Sequence, residues 1–311
     1  MVTIITSGHT FLDMDSFACI FAYQELLSLQ GEEVIAFSSG VANASVPKKY
    51  KEKCKYKNDI EVVNNIKEKS FVLVDISDYN HFDSCVELNQ VSKIFDHHPG
   101  FESFWQEKLG SNAIIEPIGA AATLIFREFK KNNLLDKISP LSAELLAVAI
   151  LSNTLYFQAK IRTDEDRNAY EELKKHFDLA NNFESDYFES VENNIENDLE
   201  NSLKNDSKII ENKLFIAQLE IWNANNLLKN KLEKIKEFLD KKEQELCFLN
   251  LIELGEKRNT MLFKNKKTLE YIKRFFPEFD YDLENNIAVT PHVMLHKEIL
   301  TRIFEKNNNK V

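Results

Sequence analysis

Through roughly its first half the chain alternates short apolar β-type runs with longer stretches whose apolar residues recur at helical spacing. Runs at residues 2–6, 33–38, 71–75 and 92–95 read as strands, and helical patterns cover 16–30, 120–132 and 141–152. Strands that alternate with helices predict an α/β fold, a mostly parallel sheet with helices on both faces. Such sheets bind ligands beyond the carboxyl ends of their strands. Three runs here end in ligand-type residues: His9 follows the first, Asp75 ends the third, and Asp96-His97-His98 follows the fourth.

A length of 311 residues fits two domains better than one core. The pattern sets a main domain at 1–180, a helical linker at 181–205 and a smaller α/β accessory domain at 206–311. Residues 181–206 are rich in Asn, Glu and Ser with spaced apolar positions, the signature of a polar amphipathic helix. Beyond it, 214–219, 245–253 and 287–289 read as strands, 224–241 as a helix and 268–276 as a helix or turn. The Asn-rich tail from Asn307 is expected to fray.

The net charge of −11, with no dense basic stripe, argues against a grip on long nucleic acid. It favours a small anionic substrate with metal supplying the positive charge. Four dispersed cysteines form no CxxC pair, so neither a disulfide framework nor a cysteine zinc site is expected. No run approaches the roughly 20 apolar residues that cross a bilayer. The first residues lack the features of a signal peptide, so no membrane association and a cytoplasmic setting are expected.

His9, Asp13 and Asp15 share the spacing H-x-x-x-D-x-D just after the first strand. Capping of the next helix explains one of these acids but not two plus a histidine. Mixed oxygen and imidazole donors suit Mn²⁺, Fe²⁺, Co²⁺ or Zn²⁺. Asp75, after four apolar residues, either bridges metal ions or caps a turn; its position alone leaves the two readings even. Small residues at 119–122 open a helix, which suits either an approaching anion or tight packing. Arg162 and Asp166 are read as helix-capping residues, and His81, His176 and His292 as surface histidines.

Five motifs, GHTFLDMDS at 8–16, VLVD at 72–75, FDHHPG at 95–100, GAAATL at 119–124 and AILSNTLYF at 149–157, resemble those of the DHH phosphoesterase superfamily in order and spacing. One branch of that superfamily carries a glycine-rich GGGH motif, and this chain has only Gly255 after Gly119. Residues 187–311 resemble instead the accessory domain of manganese-dependent (family II) inorganic pyrophosphatases and related exopolyphosphatases. The resemblance implies two Mn²⁺ ions, with Co²⁺ or Mg²⁺ as substitutes. His9 and Asp13 would hold the first, Asp15, His97 and Asn153 the second, and Asp75 would bridge. It also implies that His98 contacts phosphate or moves a proton, that Asp96 orients the histidines, and that Lys208, His296 and Lys297 bind substrate. Pairing through a sheet edge into a homodimer is implied as well.

Two positions depart from the family pattern. Asn153 stands where the family has Asp, and His296 where it has an arginine that grips phosphate through two parallel bonds. The expected function is a phosphohydrolase of the inorganic pyrophosphatase type, cleaving pyrophosphate or short polyphosphate with a metal-activated water. Alternatives are a phosphodiesterase on short oligonucleotides or cyclic dinucleotides, with Phe101, Phe104 and Trp105 as a stacking surface, and a non-catalytic phosphate-binding module.

Overall fold

A computed structural model describes residues 1–308, with the side chains of 305–308 left aside. Part of the tail expected to fray, residues 309–311, lies outside the described residues. The chain divides into two compact units, Met1–Glu184 and Ser185–Val311.

The first unit runs β1 (Val2–Thr6), β2 (Phe11–Leu12), α1 (Met14–Leu29), β3 (Val34–Ala36), β4 (Val41–Ala42), α2 (Lys48–Lys53) and α3 (Ile60–Asn64). It continues with β5 (Lys69–Val74), β6 (Val91–Asp96), α4 (Glu102–Leu109), β7 (Ala113–Ile115), α5 (Ala121–Lys131), α6 (Pro140–Asn153) and α7 (Asp164–Leu173). Five strands form one sheet in the order β3-β1-β5-β6-β7, every pair parallel. Because side chains alternate across a strand, Ile4, Phe71, Leu73 and Ile94 pack on one face with Val63 and Trp105. The opposite face is covered by α1 and α5. The α1 sequence is apolar all round, and it is buried at every position from Met14 to Tyr23 between the sheet and the neighbouring helices α5 and α6. The parallel sheet with helices on both faces is the fold read from the alternation.

Register sets the functional edge. Thr6 pairs with Leu73, and Val74 with Phe95, so β1, β5 and β6 end at one level. Asp75 donates its N–H to the Phe95 carbonyl at 2.7 Å, which fastens the first residue beyond β5 to its neighbour.

The second unit holds most of α8 (Phe183–Asn197), then α9 (Leu199–Asn205), β8 (Ser207–Ile210), β9 (Leu214–Ile221), α10 (Ala224–Asp240), β10 (Leu246–Glu253) and β11 (Arg258–Phe263). It ends with α11 (Lys266–Lys273), β12 (Asp280–Asp282), β13 (Ile287–Val289) and α12 (His296–Asn308). Its six strands run β12-β13-β11-β10-β9-β8, parallel only between β9 and β10. The polar helix α8 packs within this unit: Phe188 stacks on Trp222 at 5.5 Å, and Glu192 accepts the Asn223 N–H at 2.7 Å. All four cysteines are buried thiols, three in the first unit and Cys247 in the second. Among the described residues no helix is long and apolar enough to cross a membrane.

Candidate active site

The two histidines of the triplet are held differently. His97 is buried, and its Nδ1 lies 3.0 Å from the Ile118 carbonyl, which can only accept, so Nδ1 carries the proton. Its Nε2 then faces Asp75 Oδ1 at 3.4 Å. His98 is exposed, and its Nδ1 donates to Asp96 Oδ1 at 2.9 Å, which leaves Nε2 available. Asp96 is fully buried and also accepts the backbone N–H groups of His97 (2.7 Å) and His98 (3.2 Å). The orienting role expected for Asp96 therefore has a geometric basis, because one carboxylate fixes both the loop and a ring.

Asp75 sits at the centre. Its φ of 57° is left-handed, a conformation that costs most residues about 1–2 kcal/mol and that Asp tolerates best after Asn and Gly. Ser16 donates its hydroxyl to Oδ2 at 2.6 Å, and Ser7 donates to the Ser16 oxygen at 3.2 Å. Oδ1 is buried and accepts no hydrogen bond. A carboxylate oxygen, buried and unbonded between two imidazoles, is costly unless a cation or a proton faces it. A ligand atom from each of Asp75, His97 and His98 lies within 4.8 Å of the other two. The donor set fits a divalent transition metal.

Charge in the cluster is mutually strained. Burial and the nearby Asp75 charge raise the Asp13 carboxyl to about 6. Burial works against a charged His97, yet the Asp75 carboxylate beside it raises its pKa to about 10. Burial alone would raise Asp75, but the two histidines and the Ser16 hydroxyl hold it below the usual carboxylate range. Crowded acids that keep protons on their neighbours are the environment a cation relieves.

His9, Asp13 and Asp15 do not join the group formed by Asp75, His97 and His98. His9 is exposed, and its Nδ1 lies 2.8 Å from the His81 carbonyl. Asp13 caps α1 by accepting the Ser16 N–H at 2.9 Å. Asp15 is buried, and its oxygens accept the N–H groups of Ala121 and Ala122 at the start of α5, both at 2.8 Å. The small residues that open α5 thus do receive an acid group, but it is the chain's own Asp15 carboxyl. Beside it Gly119 N–H donates to Asp166 Oδ2 at 3.0 Å, and Asp166 also forms a capping box with Thr163 at the start of α7.

Asn153 closes α6, and the chain leaves it through Leu155, Tyr156 and Phe157, three successive left-handed residues. Tyr156 N–H to Leu151 O (2.8 Å) and Phe157 N–H to Thr154 Oγ1 (3.1 Å) hold this turn. The Asn153 amide nitrogen lies 3.0 Å from Asp15 Oδ2, 3.1 Å from Gly119 O and 3.1 Å from His97 Nε2.

The second unit gathers its own candidates by itself. Gln218 Oε1 accepts the His296 N–H (2.8 Å) and an Asn250 amide hydrogen (3.2 Å). Asn250 and Asn259 both donate to the Met294 carbonyl, at 3.0 and 2.6 Å, which ties the start of α12 to the sheet. The His296 ring is largely covered, with neither nitrogen hydrogen-bonded, and Asp206 Oδ1 stands 3.8 Å away. Burial, then the charges of Lys208 and Lys297, lower its pKa to about 4. His296 is thus a neutral imidazole with two lysines near it.

Among the aromatics beside the triplet, Trp105 is fully buried and donates its indole N–H to the Ser77 carbonyl at 2.7 Å. It packs the loop and offers no face for a base. The sequence passed over the hydroxyl of Ser16 on Asp75 and the His81 carbonyl on His9. Ser16 lay inside a quoted motif; nothing in the sequence marked His81.

Comparison with known proteins bears on the family and the fold. Residues 3–150 match the model of the DHH family, N-terminal domain. A Staphylococcus carnosus protein named "Probable manganese-dependent inorganic pyrophosphatase" is 23% identical over 244 residues, 76% of this chain and 77% of that protein. A Bacillus pumilus protein of the same name is 31% identical over 171 residues, 53% of each chain. Among solved structures, a Methanococcus jannaschii protein described as a "putative family II inorganic pyrophosphatase" aligns over 99% of both chains with a TM-score of 0.58 at 20% identity. An exopolyphosphatase-related protein from Bacteroides fragilis aligns over 99% of this chain and 92% of its own, with a TM-score of 0.53 at 16% identity. These two likenesses speak to the fold. The stretch that matches the DHH family model, residues 3–150, contains the cluster of Asp75, His97 and His98.

Proposed function

We propose that the protein is a metal-dependent phosphohydrolase of the inorganic pyrophosphatase type, with pyrophosphate or short polyphosphate as substrate. The observation that carries this reading is the buried, unbonded Asp75 Oδ1 between His97 and His98 at the carboxyl edge of a parallel sheet. The pyrophosphatases named among its relatives support the substrate class and manganese as the metal.

Asp75 and His97 are proposed to hold the cation, with His9 and Asp13 completing its surroundings and His98 beside it to meet the substrate. A divalent cation there would lower the pKa of a water and offset charge on the phosphates. The protein's own contribution is orientation. The Ile118 carbonyl sets the tautomer of His97, and Asp96 that of His98, so both rings meet an incoming group without rearranging. His98 is the exposed member, and when its ring is protonated, which the Asp96 carboxylate favours, its Nε2–H is placed to donate to a phosphate oxygen. In the second unit Lys208 and Lys297 are proposed to bind phosphate, with neutral His296 as a weaker hydrogen-bonding contact. The reading extends to a homodimer through a sheet edge, for which light scattering gives the mass.

The test is phosphate release by the purified chain with Mn²⁺, Co²⁺ or Mg²⁺, on pyrophosphate, polyphosphate, nucleotides and dinucleotides. Release from pyrophosphate or polyphosphate that chelation abolishes is the expected result. No release from any of these with any metal overturns the reading, and release only from dinucleotides moves it to a phosphodiesterase.

A further inference from the structure

We infer that the Asn153 amide stands in for a second cation, so that this chain binds one divalent metal where its donor residues suggest two. The inference rests on the metal-dependent reading above and deepens it.

Which end of the amide faces inward follows from its neighbours. Asp15 Oδ2 at 3.0 Å and Gly119 O at 3.1 Å can only accept. Turning the amide over would set its oxygen against both. The nitrogen therefore points inward, and its two hydrogens match these two acceptors whatever the state of His97, whose Nε2 lies 3.1 Å away.

Asp15 has no capacity left for a metal. An ionised carboxylate accepts at about four positions. The Ala121 N–H and the Asn153 amide occupy Oδ2, while the Ala122 N–H and the Cys19 thiol, at 3.6 Å, occupy Oδ1. A cation bound here would have to displace one of these donors. Asp75 differs, since Ser16 takes Oδ2 and Oδ1 accepts nothing. The two carboxyl groups thus divide the work: one faces the metal, and the other is occupied by the α5 backbone and Asn153.

A carboxylate at position 153 would reverse this. It would face Asp15 Oδ2 and the Gly119 carbonyl without a hydrogen to offer either, and a cation or a proton between them would relieve the repulsion. Asn153→Asp should therefore create the second metal position, not merely tighten it.

The experiment strips the full chain of metal and titrates it with Mn²⁺, reading bound metal by equilibrium dialysis and the Mn²⁺ paramagnetic resonance spectrum. The expected wild-type result is one ion per chain with the spectrum of an isolated ion. Asn153→Asp should bind two ions with an exchange-coupled spectrum, and Asn153→Ala one. Two coupled ions in the wild type overturn the inference and leave the proposed function standing. One ion in both the wild type and a folded Asn153→Asp also overturns it. A wild type that binds no Mn²⁺ overturns the metal-dependent reading itself. The wild-type measurement decides the stoichiometry even where the aspartate variant does not fold.

Discussion

At position 119 a Cβ atom would stand 2.5 Å from Asp166 Oδ2 and 2.7 Å from Thr154 Cγ2, closer than packed atoms approach. The glycine is there because Asp166 needs its backbone N–H at hydrogen-bonding distance. Gly119→Ala should lower unfolding free energy by about 1–3 kcal/mol, the usual cost of forcing a methyl group into a packed interior, read from urea denaturation. A second prediction concerns Asp96. Asp96→Ala removes the acceptor that fixes the His97 backbone and the His98 ring and should weaken Mn²⁺ binding about 10–100-fold by calorimetry, the range seen when the partners of metal ligands are lost. Residues at this scale were legible in part. Asp75, His97 and His98 follow apolar runs, which marked them as candidates, although for Asp75 position alone left metal bridging and turn capping even. The role of Asn153 was not legible, because which atom an amide presents depends on Asp15 and Gly119, both far from it in sequence.

Elements were read well where their pattern was long and poorly where it was short or broken by buried polar groups. The apolar runs of β1, β5, β6 and β10 and the helices α1, α5, α6 and α10 all stand near their expected bounds. β7, three residues long, gave too little pattern to see. β11 was missed because Arg258, Asn259 and Thr260 leave only Met261 to Phe263 as an apolar run; in the fold the Asn259 side chain is buried and bonded to Asn250 and the Met294 carbonyl. Those partners come from other elements, so the sequence alone could not excuse a polar residue there. Helix α7 shows how local chemistry can be tested by itself. Thr163 Oγ1 accepts the Asp166 N–H and donates to the Asp166 carboxylate at 2.8 Å. Thr163→Ala should cost about 1 kcal/mol of stability, measured by thermal or urea unfolding, as the loss of an N-cap usually does.

For the whole molecule, the two compact units make a single unfolding transition a poor expectation, and pH offers a way to address one of them alone. Glu192 is buried in the second unit, and burial raises its carboxyl above the ordinary 4.5. A folded state that prefers the protonated acid is favoured below that ordinary value and loses the advantage as pH rises through the raised one. Glu192→Gln keeps an acceptor for the Asn223 N–H and removes the titration. Its urea midpoint should therefore fall less than the wild type's as pH is raised from just below 4.5 towards neutrality.

The buried thiols lead to a different use of the same fold. Burial is the first cause raising Cys19, Cys54, Cys85 and Cys247 above the ordinary thiol range, Cys54 and Cys85 to about 11, and the reactive thiolate is correspondingly scarce. Air and mild oxidants should leave the native chain untouched, while a thiol-reactive dye can modify it only as fast as the structure opens. Three of these sulfurs belong to one unit and the fourth to the other, so each unit carries its own clock. Peptide mapping of the labelled cysteines over time should show Cys247 reacting on a separate schedule from the other three, and Mn²⁺ should slow the first set while leaving Cys247 unchanged.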